Sequence, residues 1–154
     1  MNPSVADIKN FIRIDDRIGT AGQPTSDQFG AVRDAGYEVV VNLLPSEQDN
    51  ALKGEADLIR TFGLEYRYIP VIWTAPQPQD FDAFCNLMRE IKDKKIFIHC
   101  AINMRVTAFY SSYAMKYLGW SLEQADALVS RIWGAHPHSK MNDTWRAFIA
   151  RIRG

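Results

Sequence analysis

Cysteine is scarce in this sequence. Cys85 and Cys100 are the only two, too few for a disulfide framework and at no metal-ligand spacing, which excludes a stapled secreted scaffold and a thiolate metal module. A charge of one sign is missing as well. Eighteen Lys and Arg balance 18 Asp and Glu, so no overall field draws the chain to nucleic acid or to an anionic membrane. Neither is expected as a partner, and any preference for anions must be local. No run approaches the roughly 20 apolar residues of a membrane span. The opening stretch MNPSVADIKNFIRIDD lacks the basic end and apolar core of an export signal, so the expected setting is the reducing cytoplasm. Internal repeats and linkers are absent too. What remains is an ordinary globular composition, 47% hydrophobic and 23% charged over 154 residues, which fits a single domain spanning 1–154.

Along the chain, FIRIDDRIGTAGQPT reads as a short β element that turns at Asp15-Asp16 and breaks at Gly22 and Pro24. Thr25 and Gln28 form a capping-box signature for a helix with Phe29, Val32 and Ala35 on one face, ending before Gly36. YEVVVNLL, 37–44, is apolar on both faces, as a buried strand of a parallel sheet would be. Leu52, Glu55, Leu58, Ile59 and Phe62 keep a helical period up to Gly63, and LEYRYIPV follows as a strand. Phe81, Phe84, Cys85, Met88 and Ile91 mark another helix, after which KIFIH makes a short apolar strand. From Arg105 a helix runs to about Leu118 and Gly119. Ser121 and Gln124 cap the next, and Trp145, Phe148, Ile149 and Ile152 mark the last. Strands alternating with helices predict an α/β domain: a central, mostly parallel sheet flanked by helices, one face covered by the helices of the C-terminal half.

In such sheets ligands bind beyond the carboxyl ends of the strands, and His99-Cys100 stands at one of those ends. Cys100 between a strand and a helix start is placed where unpaired N–H groups and the helix dipole favour a thiolate and also attract an anion. The amides of Ala101, Ile102, Asn103, Met104 and Arg105 are the expected phosphate-binding donors. The planar guanidinium of Arg105 suits two phosphoryl oxygens at once. His99 is expected to orient the loop through a hydrogen bond, and Thr107 to offer its hydroxyl to Cys100. Cys85 is expected in the core rather than as a redox partner of Cys100, and Trp73 as either a stacking surface or a lid over the core. His136 and His138 lack further ligands at suitable spacing, so no metal is expected, and no cofactor.

Two stretches carry a family resemblance: RIGTAGQPTSDQFGAVRDAGYEVVVNLL, with its Gly-Gln-Pro turn and Val-Asn-Leu strand, and IPV followed by IFIHC and Arg105. The chain resembles the small bacterial phosphatase-like proteins, grouped as a domain of unknown function, that share the dual-specificity protein tyrosine phosphatase fold. The resemblance implies a cysteine-dependent phosphatase fold with Cys100 as nucleophile and Arg105 as phosphate ligand. The substrate would be a phosphorylated small molecule or a phosphoprotein.

This chain departs from that family's pattern. Four residues, none of them glycine, separate Cys100 from Arg105, where the family has five. Losing one residue shortens the loop by roughly 3.5 Å and removes one N–H from the cradle. Asn103 is the residue able to take a left-handed conformation at low cost. The family's aspartate after the IPV strand is replaced by Ile72, Trp73 and Thr74. Asp80 is then the candidate general acid, against the more usual role of an aspartate at a helix start as a cap. Three functions follow: a phosphatase acting through a Cys100 phosphoenzyme, a phosphatase-fold module that binds a phosphorylated partner or free oxyanion without turnover, and a sulfurtransferase carrying a persulfide on Cys100.

Overall fold

The computed structural model describes residues 4–134 and 142–154; His136 and His138 lie outside the described residues. Five strands form one sheet: β1 (Ile12–Arg13), β2 (Ile18–Ala21), β3 (Val39–Asn42), β4 (Glu65–Tyr68) and β5 (Ile96–His99). They lie in the order β1-β2-β5-β3-β4, with β1 antiparallel to β2 and every other pairing parallel. The helices are α1 (Gln28–Asp34), α2 (Glu55–Thr61), α3 (Pro78–Glu90), α4 (Met104–Tyr117), α5 (Leu122–Trp133) and α6 (Asp143–Arg153). The mostly parallel sheet flanked by helices is the architecture expected from the alternation of patterns. No described helix is long and apolar enough to cross a membrane.

The two faces of the sheet explain the apolar runs. Val39, Val41, Ile96 and Ile98 point into a core shared with α3, α4, α5 and α6. Val40 and Phe97, the alternating residues, point into a second core with Phe29 and Val32 of α1 and Ile59 of α2. Successive side chains of a strand face opposite ways, so a strand covered on both sides must be apolar throughout. All six of those strand residues are fully buried.

Local signals acted as their chemistry requires, with shifted boundaries. Asp15 Oδ1 accepts from the N–H groups of Arg17 and Ile18, each at 2.8 Å, and closes the β1–β2 turn. Thr25 N–H donates to Gln28 Oε1 at 2.9 Å, but the helix itself starts only at Gln28. The Leu52 stripe likewise becomes helical only from Glu55, behind Gly54 at φ 73°. Ser121 and Gln124 form the full reciprocal box. The strand read over 37–44 is regular only at Val39–Asn42.

Candidate active site

The parallel register brings the carboxyl ends of β2, β3 and β5 level, with Asn42 and Ala21 both opposite His99. Beyond β5 the chain enters the short loop. Cys100, 1% exposed, donates its N–H to Ala21 O at 3.3 Å, and Gln23 N–H donates to Ala101 O at 2.9 Å. The Gly-Gln-Pro turn is therefore zipped to the cysteine loop, and Gly22 is required there. A Cβ on it would stand 2.5 Å from Ala101 O and 3.0 Å from Ile102 Cα, closer than a side chain can go.

Asn103 resolves the shortened spacing. It sits at φ 73°, ψ 7°, the left-handed conformation expected of it, and turns the chain directly into α4. Its Nδ2 donates to Asn10 O at 2.9 Å and to Thr20 Oγ1 at 3.0 Å, tying the loop to the segments on either side of β1. The helix accordingly starts at Met104, one residue before the expected Arg105. No described carbonyl accepts from the amides of Ala101, Ile102, Met104 or Arg105. Unpaired N–H groups at a helix start form an anion-binding concavity.

Arg105 completes it from the first turn of α4. The side chain is 4% exposed, and three contacts hold it. Nη2 donates to Gln48 Oε1 at 2.6 Å, the guanidinium carbon stands 5.2 Å from the Trp73 ring centre, and the Cys100 sulfur interacts with it electrostatically. Nε is buried without a partner. Burial holds the guanidinium below its ordinary value, and the Cys100 sulfur offsets part of that. Gln48 is neutral, so this buried cation has no carboxylate beside it among the described residues. Trp73 covers the core, its ring packing against Trp133 and Trp145 at 5.5 and 5.2 Å, with Trp145 Nε1 donating to its carbonyl at 2.8 Å, and it stays partly exposed to a cleft beside Arg105.

Behind the cysteine lies a buried polar relay. His99 Nε2 is 2.7 Å from Glu55 Oε2, and Nδ1 is 3.1 Å from Cys100 O. Glu55 Oε1 accepts from Gln23 Nε2 at 2.7 Å. Both ring nitrogens have oxygen partners, and the buried ring is fixed at both ends. His99 is thus hydrogen-bonded to the first residue of the loop. Glu55, Gln23 and Gln48 were not anticipated. A glutamate within the apolar stripe of α2 was the available signal for the first; nothing local marks Gln48.

One candidate role is corrected, and a second candidate residue is engaged as a helix cap. The Thr107 hydroxyl donates to Asn103 O at 2.9 Å and Met104 O at 3.1 Å, satisfying the first helical turn instead of serving Cys100. Asp80 caps α3, its Oδ2 accepting from Gln77 N–H at 3.2 Å; burial pushes its carboxyl upward, and that bond opposes the shift. Cys85 is 2% exposed in the core, its thiol pushed by burial up to about 11. Beside Arg105 opens a cleft of about 480 Å³, walled by Pro45, Pro70, Ile72 and Trp73 and also lined by Glu47, Gln48 and Thr74.

Known proteins share this architecture. No protein-family profile matches the chain. A candidate phosphatase of the DUF442 group from Shewanella putrefaciens is 26% identical, with a TM-score of 0.84 over 96% of this chain and 93% of that one. The core catalytic domain of the PP-IP phosphatase SIW14 from S. cerevisiae, 16% identical, shares the fold with a TM-score of 0.75 over 93% of this chain and 85% of that one. A beta-lactamase hydrolase-like protein of Xylella fastidiosa is 29% identical over 104 residues, 66% of this chain and 24% of that protein. The chain thus spans about a quarter of the length of the curated relatives it matches. Topology and likeness agree: this chain carries the dual-specificity-like, cysteine-dependent phosphatase fold, and it is similar to the DUF442 protein of Shewanella putrefaciens over nearly its whole length.

Proposed function

We propose that the chain hydrolyses a phosphate monoester, on a small molecule or a protein, through a phosphoenzyme on Cys100. The observation that carries this is Arg105: a guanidinium 4% exposed, with Nε unpartnered, beside Cys100 and at the rim of unpaired amides. A buried cation without a carboxylate partner is costly unless an anion arrives, and a phosphoryl group supplies that charge. The Cys100 thiolate attacks phosphorus, an S–P bond forms, the P–O bond to the alcohol breaks, and the electron pair leaves on that oxygen. Water then displaces the thiolate, releasing phosphate. The amides of residues 101–105 and the Arg105 guanidinium stabilise the equatorial oxygens in both steps. A reduced Cys100 is required throughout, in keeping with a cytoplasmic setting.

One observation favours a second reading, a module that binds oxyanions without turnover: the Asp80 carboxylate is engaged as a helix cap. Hydrolysis of p-nitrophenyl phosphate by wild type, Cys100→Ser and Arg105→Ala separates the two. Turnover in wild type and its loss in both variants is the expected result. Turnover that survives Cys100→Ser removes the phosphoenzyme. Inactivity of all three, with orthovanadate affinity retained in Cys100→Ser and lost in Arg105→Ala, leaves the binding module.

A further inference from the structure

The departing oxygen of an alcohol needs a proton, and neither position suggested by the sequence provides one. Ile72, Trp73 and Thr74 follow the IPV strand, and Asp80 is tied to the start of α3. A different carboxylate, Glu47, lines the cleft next to the residues that hold Arg105. The cleft of about 480 Å³ shares two residues with the arginine's support, Gln48 and Trp73, and Glu47 is part of its lining. Those two touch Arg105 directly, by the 2.6 Å hydrogen bond and the 5.2 Å ring contact. The cleft therefore lies against the two residues that hold the phosphate ligand. Its walls are mostly apolar, and Glu47 is the sole ionisable side chain among the described residues lining it.

Glu47 is also held in register. It lies in the turn after β3, between Ser46, whose N–H donates to Tyr68 Oη at 2.8 Å, and Gln48, which anchors Arg105. Adjacent residues thus supply the anchor of the phosphate-binding arginine and the carboxyl that lines the cleft.

We propose that Glu47 is the general acid for the leaving alcohol, and the general base for the water of the second step. This rests on the phosphatase reading above. In the first step the P–O bond breaks and the oxygen takes the Glu47 proton as the S–P bond forms. In the second, the Glu47 carboxylate takes a proton from water as its oxygen bonds to phosphorus, and the S–P pair returns to sulfur. Glu47 ends protonated, so the cycle closes without another reactant.

Hydrolysis of phenyl phosphate and of p-nitrophenyl phosphate by wild type, Glu47→Gln and Asp80→Asn tests the assignment, with thermal unfolding recorded for each. A departing phenolate needs the proton; a departing p-nitrophenolate hardly does. Glu47→Gln is expected to lower kcat about a hundredfold on phenyl phosphate and only a few-fold on p-nitrophenyl phosphate, at an unchanged Tm because Glu47 is exposed. Asp80→Asn is expected to leave the ratio of the two rates unchanged. Equal losses on both substrates, or no loss, overturn the assignment while leaving the phosphatase reading intact. A leaving-group dependence in Asp80→Asn transfers the role to Asp80. A wild type inactive on both substrates overturns that reading and this inference together.

Discussion

Replacing Gln48 by glutamate keeps the anchor's shape and adds the charge that the site lacks. Gln48 Oε1 is 2.6 Å from Arg105 Nη2, and Gln48 is half-buried, so an introduced carboxylate would lose little hydration while gaining a charge-assisted bond. The folded state should gain about 1–2 kcal/mol, which raises Tm by about 3–6 °C for a domain of this size. Binding should move the other way. An oxyanion on the far side of the guanidinium would lie roughly 6 Å from the new carboxylate, and at an effective dielectric near 20 two unit charges there repel by about 3 kcal/mol. That corresponds to a loss of about a hundredfold in affinity. Thermal unfolding without ligand, paired with calorimetric titration of inorganic phosphate and orthovanadate, reads both quantities on the same preparations. Stability and affinity moving in opposite directions is the signature. A variant with unchanged affinity would show that Arg105 does not face the bound oxyanion, and a fall in both would show that Gln48 is simply a packing residue.

Asn103→Ala should destabilise by about 3 kcal/mol, since it adds left-handed strain of about 1 kcal/mol to the loss of two hydrogen bonds worth about 1 kcal/mol each. Asn103→Gly should lose only the bonds, about 2 kcal/mol, and equal urea midpoints for the two variants would refute a conformational role for that residue. Burial raises the Cys85 thiol from 9.0 to about 11. In that window the unfolded chain ionises first and binds fewer protons than the native state, so stability should fall with rising pH by about 2–3 kcal/mol. Cys85→Ala should flatten the urea-midpoint profile between pH 9 and 11 relative to wild type, and parallel profiles would mean that the thiol titrates normally.

The strands and helices were legible because both cores write a period into the chain: alternate residues of β3 and β5 serve opposite faces, and the α3 stripe of Phe81, Phe84 and Met88 keeps one face. Cys100, Arg105 and the left-handed Asn103 were legible from a single contiguous stretch. Gln48 and Gln23 were not. They act on Arg105 and Glu55 across separations of 57 and 32 residues, and nothing in their neighbours distinguishes them from surface amides. Thr107 misled for the opposite reason: in a helix interior a hydroxyl finds the preceding turn's carbonyls first, whatever lies across the site. Asp80 and Glu47 show the same limit, since each has a second acidic residue two positions on, Asp82 and Asp49, and only the placement of the cleft distinguishes Glu47.

The pairing of β2 has a consequence during synthesis. Its ladder partners are the two-residue β1 and the much later β5, with Ile18 opposite Ile96. Translation at about 5–20 residues per second needs several seconds to cover the roughly 80 residues between them. Throughout that interval the nascent chain carries β2 with one long edge unpaired, together with the Gly-Gln-Pro turn that has nothing yet to hold. Neither the cysteine loop nor the support for His99 can assemble until the β5 segment has cleared the ribosome, so the Cys100 thiol is made and enclosed in nearly the same step. The unprotected interval falls instead on β2, whose open edge is where premature association with another chain would begin.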